Sequence, residues 1–194
     1  MVRRIIVWMG MSLDGFMAGP DGEIDWHLVD DELHAHFNEV LRGMGAFLEG
    51  RVTYEGMEEF WPTADQDPES TPPMLEFAGI WRDVPKVVYS RTLDRVGPNA
   101  TLVRDVVPEE VRALKAQPGG DMTVGGANLA ATFERLGLVD EYRLYLNPVS
   151  IGKGRPLFPT DVRLQFDLAE TRAFGNGVVL LRYERSAGAG DRPD

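Results

Sequence analysis

The chain has 194 residues, of which 43% are hydrophobic and 26% charged, as is ordinary for one globular domain. Its 31 acidic and 20 basic residues give a formal net charge of −11, which disfavours nucleic acid or an anionic membrane as a partner because phosphates are bound by basic surfaces. The absence of cysteine excludes disulfides, thiolate metal sites and cysteine nucleophiles. Neither a membrane-spanning stretch nor a signal-peptide pattern is present, so we expect a cytoplasmic protein.

The N-terminal third predicts two strand–helix units. A hydrophobic strand over 3–11 runs into a long Gly-, Asp- and Met-rich loop over 11–26. Helical spacing of apolar residues predicts a helix over 30–44, followed by a buried strand over 45–50 and a short helix over 51–60. The loop is either a plain connection or the movable wall of a binding site.

The middle of the chain continues the alternation. Residues 61–73 are rich in Pro, Asp and Ser and predict a surface loop. Strands are predicted over 85–90 and 100–105. A helix with proline near its start is predicted over 108–117.

The C-terminal part predicts a strand over 119–126 that runs into paired glycines, and then a helix over 127–138 that Asn128 would cap. A long strand follows over 140–152. Two antiparallel strands over 163–185 are joined by a Gly-Asn-Gly turn.

Strand–helix alternation predicts the α/β class, with a mainly parallel central sheet, helices on both faces and a C-terminal antiparallel β-hairpin. We expect a single domain over residues 1–185 and a flexible C-terminal tail over 186–194.

Glycines, hydroxyls and arginines follow the predicted strands where each strand ends. Ligands of parallel sheets bind outside the carboxyl ends of the strands, so these segments should share one edge. Helix N-termini bind anions through free N–H groups, glycine lets a ligand approach the backbone, and arginine suits phosphate. The pattern favours a cofactor with several phosphates. The residues concerned are Gly50, Arg51, Thr53, Ser90, Arg91, Gly125, Gly126, Ala127 and Asn128.

Each of these features alone has a simpler interpretation. Thr53 could be only a helix cap, Arg91 only a surface charge, and two glycines before a helix are weak evidence. The sequence also lacks the GxGxxG and Walker A motifs. The phosphate-site hypothesis depends on their joint occurrence at consecutive strand ends.

The chain resembles the reductase superfamily that has the dihydrofolate reductase fold, and in particular stand-alone bacterial proteins related to the C-terminal reductase domain of the bifunctional riboflavin-biosynthesis enzyme. The matching segments are collinear and extend over residues 3–185. They are "MSLDGFMAGPDGEIDW", "LEGRVTYEGM", "KVVYSRTL", "TVGGANLAATFERLGLVDEYRLYLNPVSIGKGRPLF" and the final hairpin.

The resemblance implies a three-layer dihydrofolate reductase-like sandwich, a homodimer, and NADPH as hydride donor to a small pterin- or pyrimidine-like substrate. By motif position, the segments around Gly50 and Gly126 would contact the cofactor phosphates, and Ser90 with Arg91 would hold the 2′-phosphate. The 11–26 loop would close over nicotinamide and substrate. Its expected substrate contacts are Met11, Ser12 and Trp26.

Two carboxylates compete for a catalytic role. Asp14 opens the loop, where the family has Ser-Leu-Asp-Gly beside the substrate, but it could be an ordinary turn residue. Asp31 starts the first helix, where folate reductases carry an acid that binds the pterin. A buried acid there could keep a raised pKa and support proton delivery. It could also be a first-turn acid that the helix dipole favours, and a slip of one residue would assign the role to Asp30.

The sequence departs from the family in its substrate region. The riboflavin enzyme binds a sugar phosphate, yet this chain has no Lys or Arg between residues 5 and 41. A phosphorylated substrate would therefore fit poorly. His27, His34 and His36 lie close in sequence, but helical spacing points the last two apart, so no metal site is expected. The alternatives are a plain folate reductase and a non-catalytic, nucleotide-binding dimeric protein that retains the fold.

Overall fold

The computed structural model describes residues 2–158 and 163–186. Within these ranges an eight-stranded sheet has the spatial order β5-β4-β3-β6-β1-β7-β10-β9. All pairings from β5 to β7 are parallel, and β10 is antiparallel to both β7 and β9. The α/β class, the mainly parallel sheet and the C-terminal antiparallel hairpin are thus confirmed. The strands are β1 (Ile5–Met11), β3 (Ala46–Gly50), β4 (Lys86–Tyr89), β5 (Ala100–Val103), β6 (Met122–Gly125), β7 (Glu141–Leu146), β9 (Phe166–Ala173) and β10 (Val179–Arg185), while β2 (Phe16–Ala18) and β8 (Arg155–Pro156) form a separate small sheet.

Helices cover both faces of the large sheet. Successive strand residues point to opposite faces, so β3 contributes Phe47 to one apolar core and Leu48 to the other. The core around Phe47 includes the first three helices, and the core around Leu48 includes the last two. This is the expected three-layer sandwich. The helices are α1 (Asp31–Leu41), α2 (Arg51–Phe60), α3 (Pro72–Asp83), α4 (Pro108–Ala116) and α5 (Ala127–Arg135).

The prediction of a surface loop over 61–73 is wrong for most of these residues. Trp61–Gln66 form a 3₁₀ helix, and α3 begins at Pro72. Both helices carry proline in the first turn, where the fixed φ of proline suits a helix and its missing N–H costs nothing. Trp61 packs edge-on against Phe77 of α3 at 4.5 Å between ring centroids, so tertiary packing orders a segment whose composition is typical of loops.

The strand predicted over 140–152 is too long, because β7 ends at Leu146. Pro148 has no N–H to donate to a sheet, and Asn147 instead uses its side chain to accept the Leu28 N–H at 2.8 Å. The final hairpin closes through Gly177, which has a φ of 88° as the Gly-Asn-Gly turn requires. Of the predicted tail, Ser186 still donates its N–H to Gln165 at 3.2 Å, and the remainder lies outside the described residues.

Candidate active site

The chain reverses its winding direction between two adjacent strands. β3 and β6 are parallel neighbours, yet β3 leads into α2 on one face of the sheet and β6 leads into α5 on the other. The two connections therefore diverge and leave a crevice outside the carboxyl ends of the strands. Such a topological switch point is where α/β sheets bind ligands.

Both helices at the switch point begin with uncapped N–H groups. Gly50 is the N-cap of α2 and Gly126 the N-cap of α5, neither helix has a side-chain cap, and neither has an acidic residue in its first turn. Asn128 was expected to cap α5, but it lies one position inside the helix. The N-cap position is occupied by Gly126, whose φ of 94° is one that glycine adopts without strain.

The starts of the two helices touch each other. A Cβ atom at Gly126 would lie 2.8 Å from Thr53 Oγ1, and one at Gly125 would lie 3.4 Å from Thr53 Cγ2. Glycine therefore keeps open a cradle of backbone N–H groups from two helices. This arrangement fits a group with adjacent phosphates, because both helix dipoles point their positive ends at the same place.

A cleft of about 1060 Å³ opens from this cradle. The cradle residues form one end of it. The remaining walls come mainly from β1, the 11–26 loop, α1, α2, the 3₁₀ helix and α3, and β4 and β8 contribute one residue each. The predicted cofactor residues that line the cleft are Gly50, Arg51, Thr53, Gly126, Ala127 and Asn128.

Ser90 and Arg91 lie on the loop after β4, outside the cleft lining. Ser90 Oγ accepts the N–H groups of Thr92 and Leu93 at 3.2 and 3.0 Å, which shapes the turn. Arg91 is 81% exposed and donates from Nε to Asp105 at 2.7 Å. A phosphate on Arg91 would have to compete with this exposed ion pair, which is a weak competitor.

The 11–26 loop forms a wall of the cleft through its middle. Met17 and Ala18 line the cleft, and the small sheet of β2 and β8 holds them in place. Met11 is buried beneath the loop, and Ser12 is fully buried and bonded to the Phe16 backbone.

Trp26, at the other end of the loop, packs edge-on against His27 at 4.2 Å. None of the three expected substrate contacts, Met11, Ser12 or Trp26, is among the lining residues. Met11 and Ser12 are instead buried at the start of the loop, and Trp26 is half-buried at its end.

Asp14 anchors the loop rather than facing the cleft. Its carboxylate accepts hydrogen bonds from the Ser150 hydroxyl at 2.8 Å and from the N–H groups of Ile151 and Gly152 at 3.2 and 2.7 Å. Hydrogen bonding, first of all from Ser12, holds the pKa of the Asp14 carboxyl well below its usual range. An ionised carboxylate with its oxygens engaged does not fit the expected role of proton donor.

The acids at the start of α1 are also absent from the cleft lining. Asp30 is the N-cap and accepts the Leu33 N–H at 2.9 Å, and Asp31 is exposed in the first turn. Asp31 is not the buried acid that we expected. No Asp or Glu of the described ranges lines the cleft.

The sequence analysis missed the aromatic end of the cleft. Trp8 and Phe37 meet edge-on at 4.6 Å, and His34 lies 5.7 and 6.0 Å from the rings of Trp61 and Phe77. All five line the cleft. The signal available in the sequence was the spacing of His34, Phe37 and Leu41, which places these three side chains on one face of α1.

A buried carboxyl lies directly behind the cradle. Glu49 precedes Gly50 and is 6% exposed, and burial raises its pKa to about 8 despite the neighbouring Lys86. Lys86 is itself buried, with its ammonium group 4.7 Å from the centre of the Trp81 ring. The raised pKa favours the uncharged form of Glu49, which reduces the negative charge behind the cradle.

The described residues hold no cluster of three or more His, Asp or Glu side chains able to bind a metal ion. No helix within them is long and apolar enough to cross a lipid bilayer.

Comparison with known proteins gives a family and a fold. Residues 3–180 match the model of the RibD C-terminal domain family. The chain is 38% identical to the uncharacterized protein YyaP of Bacillus subtilis over 184 residues, which cover 93% of this chain and 94% of that protein.

Solved structures share the fold at lower identity. A candidate riboflavin biosynthesis protein from Shewanella sp. PV-4 superposes with a TM-score of 0.73 at 20% identity and covers 96% of this chain and 100% of its own. Dihydrofolate reductase from Enterococcus faecalis, solved with NADP(H), gives a TM-score of 0.63 at 17% identity and covers 95% of this chain and 97% of its own. The dihydrofolate reductase-like fold expected from the sequence is confirmed.

Proposed function

Since the chain belongs to the RibD C-terminal domain family, we propose that it is an NADPH-dependent reductase of a small heterocyclic compound. The observation that carries this proposal is the cradle at the β3–β6 switch point, where two uncapped helix N-termini meet across Gly126 and Thr53. Family membership and a fold neighbour solved with NADP(H) support it further.

The cradle supplies the contacts that a dinucleotide needs. The N–H groups at the start of α2, with Arg51 and the Thr53 hydroxyl, would hold one phosphate, and those at the start of α5 would hold the next. Arg51 is paired with Glu55 at 2.7 Å on the helix surface, an exposed pair that yields readily to phosphate. When bound, the reduced nicotinamide supplies a hydride.

The substrate is a pterin- or pyrimidine-like ring that bears a C=N or C=O group. The hydride forms a C–H bond at that carbon, the π electron pair moves to the heteroatom, and the heteroatom takes a proton, which oxidises the cofactor and reduces the substrate. The walls of the cleft contribute by orienting the ring and excluding water, through Met17 and Ala18 of the loop and the aromatic residues opposite. Because no carboxylate of the described residues lines the cleft, the proton comes from water or from another group in the wall.

Calorimetric titration with NADPH and NADH tests the cofactor. We expect saturable NADPH binding, and no saturable binding at millimolar concentration would sink the proposal. Turnover of NADPH with a panel of pterins, pyrimidines and imines separates a reductase from a non-catalytic nucleotide-binding protein, which would bind NADPH without oxidising it.

A pair of opposed variants tests the 2′-phosphate contact proposed for Ser90 and Arg91. Arg91→Ala should weaken NADPH by about tenfold, the value of one charged contact, and leave NADH unchanged. Asp105→Asn should tighten NADPH instead, because it frees the guanidinium from its ion pair. Equal effects on the two dinucleotides would show that this assignment is wrong while the cradle proposal stands.

The expected homodimer stays a prediction. One of the two edge strands, β9, includes Leu168, which is 57% exposed, and so offers a surface for a second copy. Light scattering coupled to size-exclusion chromatography would report a mass of two chains if the protein dimerises and one if it does not.

A further inference from the structure

One part of the cleft lining, contributed by elements other than the cradle, is apolar and aromatic. β1 contributes Trp8, α1 contributes Phe37 and Leu41, the 3₁₀ helix contributes Trp61, and α3 contributes Phe77. Edge-to-face pairs at 4.6 Å between Trp8 and Phe37 and at 4.5 Å between Trp61 and Phe77 fix the positions of the rings. These five residues and His34 are called the aromatic end below. A rigid slot of this kind suits a flat apolar ring.

The aromatic end is unsuited to anions. The N-terminus of α1 is occupied by the Asp30 carboxylate, and two further acids, Asp31 and Glu32, lie in its first turn. The N-terminus of α3 starts with Pro72 and Pro73, which have no N–H groups to donate. A phosphate buried here would lose its hydration without gaining a charged partner.

The two arginines that line the cleft lie away from this end. Arg51 belongs to the cradle and is paired with Glu55. Arg155 is on β8, beside Gly22 of the 11–26 loop. Arg51 and Arg155 are the only Lys or Arg residues among the described residues that line the cleft, and neither belongs to an element that forms the aromatic end.

His34 is the titratable side chain of the aromatic end. Its ring contacts Trp61 and Phe77, and no described residue hydrogen-bonds its ring nitrogens. Burial lowers the pKa of His34, and the acids that face it, Asp31 on its own helix and Glu76 on α3, offset this only in part. A neutral imidazole can donate one N–H to a carbonyl oxygen or an imine nitrogen.

We propose that the aromatic end binds the flat, uncharged ring of an unphosphorylated substrate, and that His34 donates a hydrogen bond to a carbonyl or imine group of that ring. The inference rests on the proposed reductase function and narrows its substrate class to uncharged, unphosphorylated ring compounds. His34 would then stabilise the negative charge that develops on the heteroatom as hydride reaches the adjacent carbon. It could also relay the proton, because its second ring nitrogen can take a proton from water as the first gives its N–H proton to the heteroatom. Besides His34, the polar groups of the aromatic end as defined are the indole N–H groups of Trp8 and Trp61, and that of Trp8 is donated to the Tyr145 hydroxyl at 3.1 Å.

The binding test uses three probes that share one ring system: acetylnaphthalene, ethylnaphthalene and naphthyl phosphate. Equilibrium dialysis against the full chain, with excess inorganic phosphate to fill the cradle, measures each affinity without any cofactor. We expect acetylnaphthalene to bind at least about tenfold more tightly than naphthyl phosphate, because the phosphate finds no counter-charge. Equal or tighter binding of naphthyl phosphate would overturn the proposed class.

A histidine variant tests the hydrogen bond. His34→Phe keeps a ring against Trp61 and Phe77, and it should weaken acetylnaphthalene by about fivefold, the value of a neutral hydrogen bond, while ethylnaphthalene is unchanged. His36→Phe is the matched control, since His36 bonds Tyr145 outside the cleft lining and should affect neither probe. An equal loss for both probes, or a loss for neither, would overturn the role of His34.

A variant that adds a positive charge near the aromatic end should reverse its preference between the uncharged and the phosphorylated probe. Phe60 lines the cleft and is 38% exposed, so Phe60→Arg places a cation there without burying it fully. It should tighten naphthyl phosphate and weaken acetylnaphthalene, whereas Val107→Arg, at a site 37% exposed on the start of α4, should change neither. If both arginine variants act alike, the selectivity is a surface-charge effect and the proposal fails. These measurements stand whether or not NADPH binds, so the proposed function can fail separately.

Discussion

The two ends of the cleft use the same structural element in opposite ways. At the cradle, α2 and α5 have glycine at the N-cap position, no side-chain cap and no acid in the first turn. At the aromatic end, α1 begins with a carboxylate cap followed by acids, and α3 begins with two prolines. A helix N-terminus attracts anions only where its N–H groups are present and unopposed, so first-turn residues decide which end receives phosphate.

The largest effect is expected from closing the cradle. Gly126→Ala places a Cβ 2.8 Å from Thr53 Oγ1 and forces alanine into a φ of 94°, so the N–H groups of α5 move or are blocked. NADPH affinity should fall by about 100-fold, equivalent to about 2.7 kcal/mol. Calorimetry measures this directly.

Gly79→Ala is the control for that experiment. Gly79 is in the interior of α3, where an added Cβ meets nothing within 4 Å, so the variant should bind NADPH normally and unfold at slightly higher temperature. If Gly126→Ala kept full affinity while remaining folded, the cradle would not be the phosphate site.

A pH experiment tests whether the cradle must stay free of negative charge. The folded protein holds the Glu49 proton more tightly than the unfolded chain, with a pKa raised from 4.5 to about 8. Folded stability should therefore fall as pH rises through this window, and Glu49→Gln should remove that part of the decline. Denaturant unfolding at several pH values gives the difference between the two proteins, which we expect to grow to a few kcal/mol by pH 8.

Ionisation of Glu49 should also change the affinity for NADPH. Above its pKa the Glu49 carboxylate lies directly behind the N-cap of α2, so NADPH affinity should fall with rising pH in the natural protein and much less in Glu49→Gln. Parallel pH profiles for the two proteins, in stability and in affinity, would show that Glu49 is not the titrating group.

The sequence predicted the cradle better than the aromatic end for a physical reason. Gly50, Arg51 and Gly126 follow directly on hydrophobic strands, and strand ends of a parallel sheet must share an edge, so local pattern gives spatial position. Their element bounds agree with the structure to within a few residues.

The aromatic end is assembled from segments far apart in the chain. Trp8 and Phe77 are separated by most of the N-terminal half, and the composition of 61–73 is typical of a loop, so no local pattern brings Trp61 onto α3. The roles expected of Asp14 and Asp31 came from motif position. Motif position does not say whether a carboxylate turns into the cleft or towards its own backbone.

A smaller, local effect is expected at the start of the 11–26 loop, where Asp14 anchors it. Asp14→Asn replaces a charged acceptor of the Ile151 and Gly152 N–H groups by a neutral one. Amide hydrogen exchange at those two positions should accelerate by about tenfold, the value of a charged hydrogen bond, while NADPH affinity is unchanged. Asp25→Asn in the same loop is the control and should leave both amides protected. A large loss of turnover without faster exchange would restore Asp14 to a chemical role.

The smallest effect is expected at Asp31, and it separates this cleft from that of a folate reductase. A carboxylate that binds a pterin and supports proton delivery would make Asp31→Asn lose most turnover, and methotrexate would bind tightly through the same acid. The structure instead leaves Asp31 exposed in the first turn of α1, where it opposes the helix dipole and so repels anions from the aromatic end. Asp31→Asn should then tighten naphthyl phosphate by only about two- to fivefold, the range of one dipole interaction, and keep turnover near normal. Glu39→Gln, an exposed change farther along the same helix, should leave naphthyl phosphate unaffected. Loss of turnover in Asp31→Asn alone would mean that α1 presents its acid to the substrate after all, and His34 would give up the polar role at this end of the cleft.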